Sequence, residues 1–122
     1  MTIRIPALVA TLVIALVAVV ALSAHMAYSK SVPQKDAALS ESPELLQVWF
    51  TQEPEPAVSR LSLEGPHGTV TLGVTKIAPE KSIVAELKSP LNPGSYKVNW
   101  RSAGDDGHTQ RGDFSFTVHA AN

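Results

Sequence analysis

The chain has 122 residues, a formal net charge of −1 and no cysteine. Without cysteine, a disulfide scaffold, a thiolate nucleophile and a zinc–thiolate site are all excluded. A mildly acidic chain also lacks the excess of basic residues that nucleic-acid-binding domains carry. We therefore expect one small domain, stabilised by its hydrophobic core, with no nucleic-acid partner.

The amino terminus has the pattern of a secretory signal peptide. Residues 1–4 carry one positive charge, residues 5–22 are almost wholly apolar, and the small residue Ala24 precedes a polar chain. We expect residues 1–24 to be cleaved, leaving residues 25–122 as an exported, soluble domain that begins with His25. The alternative is an uncleaved membrane anchor, because the apolar stretch approaches the roughly 20 residues that span a bilayer.

After a polar lead-in over residues 28–42, which includes one short strand near its start, apolar and polar residues alternate with the period of two that is typical of strands with one buried face. The alternation predicts about seven strands in an all-β, antiparallel sandwich. Residues 65–68 and 88–94 predict turns, and residues 105–112 predict the loop between the last two strands. The expected strand residues are 28–32, Leu46/Val48/Phe50, Leu61/Leu63, Val70/Leu72/Val74, 83–87, Tyr96/Val98/Trp100 and Phe114/Phe116/Val118.

Three polar residues form the candidate metal site. If the mature chain begins at His25, its free α-amine and its Nδ1 can close a six-membered chelate on one metal ion. Asp106 and His108 can face the same ion, because residues i and i+2 of an extended backbone point to the same side. This set of three nitrogens and one oxygen suits Cu(II). For Asp106 and His108 alone an ordinary turn is the better interpretation, and the amino-terminal histidine reverses that preference.

The remaining histidines and the tryptophans have simpler explanations. His67 lies in a predicted turn and His119 near the carboxyl terminus, so both are interpreted as solvated side chains. Trp49 has the opposite parity to the buried residues of its strand, whereas Trp100 follows the buried parity, and both are expected to pack. No Ser/His/Asp order or paired-acid motif stands out from the background, so a hydrolase is weakly supported. We expect a protein that is not an enzyme, because the protein ligands of the candidate metal site would leave few coordination positions for a substrate.

Several segments of the mature chain form a combined motif. They are His25-x-x-Tyr28-x-x-Ser31-x-Pro33, residues 42–50, Pro90-Leu91-x-Pro93-Gly94-x-Tyr96-x-Val98-x-Trp100-Arg101, Asp106-Gly107-His108 and Gly112-x-Phe114-x-Phe116-x-Val118. With these segments the chain resembles the CopC family of periplasmic copper-binding, copper-resistance proteins over nearly its whole mature length.

The resemblance implies a Greek-key, immunoglobulin-like β-sandwich that binds one Cu(II) per chain through His25, by amine and ring, together with Asp106 and His108. It also implies a periplasmic, non-catalytic role in copper resistance and homeostasis, as a carrier or buffer beside a CopD-type inner-membrane partner. Two positions depart from the family pattern: Gln52 stands where Glu is common, and Gly104 where Ser is frequent.

Other interpretations stay open at this point. Some family members add a Cu(I) site on a methionine-rich loop, but Met26 is the sole methionine after residue 24, and this favours Cu(II) alone because soft thioethers select Cu(I). An enzyme related to copper mono-oxygenases would also begin with a chelating histidine. A metal-free, immunoglobulin-like interaction module would use the Asp-Gly-His segment only as a turn.

Overall fold

The computed structural model describes residues 25–120, and the predicted signal peptide lies outside them. The described residues contain one short 3-10 helix, Pro56–Val58, and two β-sheets. The strands are β1 Tyr28–Val32, β2 Ala38–Leu39, β3 Leu45–Phe50, β4 Arg60–Gly65, β5 Gly68–Val70, β6 Lys76–Ala78, β7 Ser82–Glu86, β8 Gly94–Ala103 and β9 Thr109–Val118. Within residues 25–120 no helix has the length and hydropathy needed to span a bilayer.

One sheet has the strand order β1-β3-β7-β6 and the other has the order β2-β9-β8-β4-β5. Strand β2 pairs with β9 in parallel, and the other pairings are antiparallel. The longest pairing is the β8–β9 hairpin, which runs from Gly94 opposite Val118 to Ala103 opposite Thr109. This two-sheet architecture confirms the predicted all-β sandwich.

The core lies between the sheets and is built from the alternating residues of the strands. Phe50 of one sheet meets Trp100 of the other edge-on, with ring centroids 5.2 Å apart. The indole also covers Gly112 of β9, where a Cβ would lie 2.5 Å from the ring, so only glycine fits there. Trp49 points to the opposite face and is half-buried, with the Lys30 ammonium 4.9 Å from its ring. The predicted parities of both tryptophans are therefore confirmed.

The structure differs from the predicted strands in three places. It adds the short strands β2 and β6, whose two and three residues are too few to show a period. The predicted strand through residues 70–74 is wrong beyond Val70: Leu72 makes an isolated bridge to Leu87, and Val74 is 76% exposed. Here the chain crosses from one sheet to the other, so the apolar alternation does not mark one ladder.

The third difference concerns the loop predicted for residues 105–112. Strand β8 continues to Ala103 and β9 already begins at Thr109, so the connection consists of residues 104–108 alone. Polar residues 109–112 looked like loop because β9 has exposed side chains at its start, yet their backbone groups pair with β8. The shorter connection places Asp106 and His108 directly at the end of a hairpin whose two strands have ten residues each.

Candidate metal centre

His25, Asp106 and His108 meet at one end of the sandwich, although 81 positions separate His25 from Asp106. Each offers a donor atom, and these three atoms all lie within 4.8 Å of one another. Nδ1 of His25 is 2.8 Å from Oδ2 of Asp106, and Nδ1 of His108 is 3.5 Å from the same oxygen. The structure thus brings together the three residues selected from the sequence.

His25 is positioned by the two residues that follow it. The Met26 side chain is buried in the core, at 3% exposure. Ala27 pairs with Thr51, just beyond β3: the Thr51 N–H donates to the Ala27 carbonyl at 2.9 Å, and the Ala27 N–H donates to Thr51 Oγ1 at 3.0 Å. These contacts attach the amino-terminal segment to the sandwich immediately after His25.

The β8–β9 connection positions the other two residues. The Gly107 N–H donates to the Gly104 carbonyl at 3.1 Å, and Gly107 has φ +74°, a left-handed conformation that glycine adopts without strain. The His108 N–H donates to Oδ1 of Asp106 at 3.0 Å, which leaves Oδ2 directed at the two imidazoles. This short turn therefore presents one carboxylate oxygen and one imidazole on the same side.

Gln52 lies two residues beyond the end of β3 and contacts the same turn; from the sequence it was noted only as a departure from the family pattern. Its Oε1 accepts the Asp105 N–H at 3.2 Å. A Cβ at Gly104 would collide with that Oε1 and would lie 3.2 Å from Cβ of Met26. The two departures, Gln52 and Gly104, are therefore neighbours, and the missing side chain at Gly104 provides space for the amide of Gln52.

The electrostatics of the cluster favour the charged form of Asp106. The backbone N–H of His108 and the imidazole of His25 both hydrogen-bond to the carboxylate and hold its pKa below the ordinary value of 3.8. A carboxylate that stays ionised at mildly acidic pH is ready to ligate a cation. The side chains remain accessible from solvent, with exposures of 58% for His25, 32% for Asp106 and 72% for His108.

The spacing of the donors matches the coordination sphere of a transition metal. Metal–ligand bonds of about 2 Å place neighbouring ligands of a square plane about 2.8 Å apart. The 2.8 Å between His25 Nδ1 and Asp106 Oδ2 is the length of a hydrogen bond, and it is compatible with this spacing. A bound ion would replace that hydrogen bond, with the imidazole and the carboxylate turned towards the metal.

The histidines left out of the predicted site lie elsewhere. His67 is exposed in the two-residue turn between β4 and β5. His119 follows β9, with its N–H donating to the Leu39 carbonyl at 2.8 Å, at the end of the hairpin opposite to the cluster. Among residues 25–120, the metal-type cluster found is the one formed by His25, Asp106 and His108.

Comparison with known proteins agrees with this fold. The family model described as "CopC domain" matches residues 28–119. Copper resistance protein C of Escherichia coli is 35% identical over 104 residues, covering 78% of this chain and 82% of the relative.

Two solved structures extend the likeness to three dimensions. The crystal structure of PcoC, a methionine-rich copper resistance protein from E. coli, has a TM-score of 0.70 at 34% identity, covering 78% of this chain and 99% of that chain. CopC from Methylosinus trichosporium OB3b has a TM-score of 0.72 at 27% identity, covering 80% and 97%. On the extent of these matches, the chain belongs to the CopC family.

Proposed function

We propose that the mature chain begins at His25 and binds one Cu(II) ion through the amine and Nδ1 of His25, a carboxylate oxygen of Asp106 and an imidazole nitrogen of His108. The observation that carries the proposal is the meeting of the three donor atoms within 4.8 Å. The set then contains three nitrogens and one oxygen, which is a tetragonal combination suited to Cu(II), the ion at the top of the divalent affinity order.

The choice of Cu(II) over Cu(I) is supported by the surroundings of Met26. Thioethers and thiolates are the ligands that select Cu(I). Residues 25–122 contain one methionine and no cysteine, and the Met26 side chain is buried in the core. The donors at the exposed end of the sandwich are imidazole and carboxylate, so we expect weak binding of Cu(I).

A carrier or buffer for copper fits this donor set better than an enzyme does. Four protein donors fill a square plane and leave little room for a substrate in it. A polysaccharide-cleaving copper enzyme would also need an exposed aromatic platform, whereas five of the seven aromatic side chains here are buried. The other two, Tyr28 and Trp49, are half-buried beneath Lys35 and Lys30.

The proposal includes the location and a partner. We propose that residues 1–24 direct export to the periplasm and are removed after Ala24, because the amine of His25 becomes a ligand only when that bond is cut. We also propose that the chain exchanges copper with a CopD-type inner-membrane protein. Family membership supports both proposals. Periplasmic location and copper exchange with this partner would together serve copper homeostasis and resistance.

The test begins with the full chain expressed in a bacterium that exports it. The intact mass of the protein recovered from the periplasm should correspond to residues 25–122. Titration of this protein with Cu(II) should saturate at one ion per chain, and electron paramagnetic resonance should show coupling to nitrogen donors.

Matched variants assign the ligands. Asp106→Asn and His108→Ala should each weaken Cu(II) binding strongly, because each removes one donor. Asp105→Asn and His119→Ala change the same residue types outside the cluster and should leave the affinity unchanged. Equal affinity in all four variants, or a mature chain that starts elsewhere than at His25, would refute the assigned site.

A further inference from the structure

A row of arginines crosses the outer face of the five-stranded sheet. Arg60 in β4 lies directly opposite Arg101 in β8, and Arg101 lies directly opposite Arg111 in β9. These three residues, called the arginine row below, are all the arginines of residues 25–122. They come from three strands, so the row is visible only in the folded sheet.

The row costs free energy in the isolated protein. Like charges directly opposite each other on paired strands are destabilising. Within residues 25–120, no salt bridge joins any of the three guanidinium groups to a carboxylate. Nε of Arg101 donates to the Val58 carbonyl at 3.3 Å, which leaves its remaining donors available. An anion bound between the guanidinium groups would remove the repulsion.

The row borders a groove that can hold such an anion. The groove has a volume of about 580 Å³ and is also lined by Ser62, Asn99 and Asp113. Ser62 and Asn99 add neutral polar groups in the neighbouring cross-strand row. Asp113 is the acidic group of the groove, and its carboxylate lies 3.8 Å from the Lys97 ammonium, so the groove keeps an excess of positive charge.

The residue type identifies the chemistry of the ligand. The other basic residues of the mature chain are six lysines, none of which lines the groove. Arginine differs from lysine because its planar guanidinium binds a carboxylate or phosphate with two parallel hydrogen bonds. Three such groups side by side form a surface for planar oxyanions.

The dimensions and the position of the row favour an extended occupant. Strands are spaced about 4.8 Å apart, so the backbone positions of the row span about 10 Å from β4 to β9, a length along which several carboxylates of one peptide can lie side by side. Arg101 and Arg111 lie two residue pairs from Ala103 and Thr109, where the turn with Asp106 begins. At about 3.4 Å per residue, the row is about 7 Å along the hairpin from that turn.

We propose that the arginine row binds the carboxylates of an acidic segment of a protein that exchanges copper with this chain. The row would hold the partner beside the metal centre, where copper can pass between the two sets of ligands. The proposal deepens the proposed function and rests on it for the exchange, whereas the binding of acidic peptide itself does not require copper.

The first experiment measures peptide binding by copper-free mature protein at low ionic strength. Hexaglutamate should bind the parent protein, and the double variant Arg60→Gln/Arg111→Gln should weaken this binding about tenfold or more, because charged hydrogen bonds are lost. Lys76→Gln/Lys88→Gln removes the same charge away from the groove and should bind like the parent. Thermal melts of both double variants verify that they are folded.

Two outcomes overturn the proposal. Equal affinity of hexaglutamate for the two double variants would show that only net charge matters. Inorganic phosphate binding as tightly as the peptide would make the groove a small-anion site and not a docking surface. Copper titration of the same variants should give the parental copper affinity. The test of peptide binding at the arginine row is therefore independent of the test of the proposed copper site.

The second experiment tests exchange on the copper-loaded protein. The tripeptide Gly-Gly-His, which chelates Cu(II), is extended with six glutamates in one version and six glutamines in the other. The acidic peptide should remove copper from the parent protein about tenfold faster than the glutamine peptide does, because it binds in the groove and is therefore held near the metal. Equal rates for the two peptides, or a rate advantage that persists in Arg60→Gln/Arg111→Gln, would contradict docking at the row.

Discussion

The core between the sheets and the cluster of His25, Asp106 and His108 are held in place by different forces. In the core, side chains such as Leu63 and Phe116 are 0% and 1% exposed and pack against residues from several strands. In the cluster, a few hydrogen bonds hold groups that are mostly open to water. The core therefore contributes most of the stability, and the cluster presents the donor groups of the proposed copper site.

This difference separates two properties that are often linked in metal-binding domains. Small zinc domains depend on their metal for folding because their cores are too small. Here both sheets share an apolar core that contains no metal donor of the cluster. Changes in the core should therefore alter stability and leave copper affinity nearly constant, and changes at the cluster should do the reverse.

The largest effect on stability is expected in the core. Phe116→Ala removes a ring that is stacked on Tyr96 at a centroid distance of 5.5 Å, and it should lower the free energy of unfolding by about 3–5 kcal/mol. Urea denaturation of the copper-free protein measures this loss. Val74→Ala, at a side chain that is 76% exposed, should change the value by less than about 0.5 kcal/mol. Similar losses in both variants would contradict the assigned core.

The largest effect on copper is expected at the amino terminus. One glycine placed before His25 converts the amine into an amide, which is a poor ligand, and breaks the chelate. Copper affinity should fall by more than about 100-fold, beyond the loss typical of outer-shell changes, while the urea midpoint of the copper-free protein stays the same. A competition titration with a chelator of known affinity measures it, and parental affinity would refute the chelate.

Copper should stabilise the folded protein only by mass action. At a free concentration 100 times the dissociation constant, binding adds about 2.7 kcal/mol to the free energy of unfolding. The copper-free protein should already show the circular dichroism of a β-sandwich and a cooperative melt. A disordered spectrum that becomes β-rich only with copper would break the proposed separation between core and cluster.

A smaller effect is expected at the contact between Gln52 and Gly104. Gly104→Ala should displace the Gln52 amide and free the Asp105 N–H, and it should weaken copper binding by about tenfold through the altered turn. Gly73→Ala is the matched control, because a Cβ there would meet its nearest atom at an ordinary 3.5 Å. Equal copper affinities in the two variants would show that Gln52 does not position the turn.

The smallest effect is the acid dependence of the copper-free protein. Hydrogen bonds from His108 and His25 lower the pKa of Asp106 in the folded state, so its charge contributes stability at pH values above 3.8. This contribution is lost as pH falls through the lowered pKa. Between about pH 5 and about pH 3, Asp106→Asn should therefore lose slightly less stability than the parent. An identical acid dependence would show that these hydrogen bonds are not kept in solution.

Much of the fold could be predicted because alternation is a local property of a half-buried strand. The inward parity of Leu46, Val48 and Phe50 follows from the sequence alone, and the structure confirms it. Local patterns failed where the chain changes sheets near Val74 and where polar residues such as Gln110 continue a ladder. In both places the backbone pairing, which side-chain polarity does not encode, determines the structure.

The sequence by itself determined the candidate ligands, because imidazole, carboxylate and a potential terminal amine are recognisable as donor types. Only the tertiary structure decided that His25 and Asp106 meet at 2.8 Å, that Gln52 fills the space left by Gly104, and that three arginines form one row. The physical reason is common to all three. Each depends on strand register, which brings distant positions together, and register is set by the packing of the whole core.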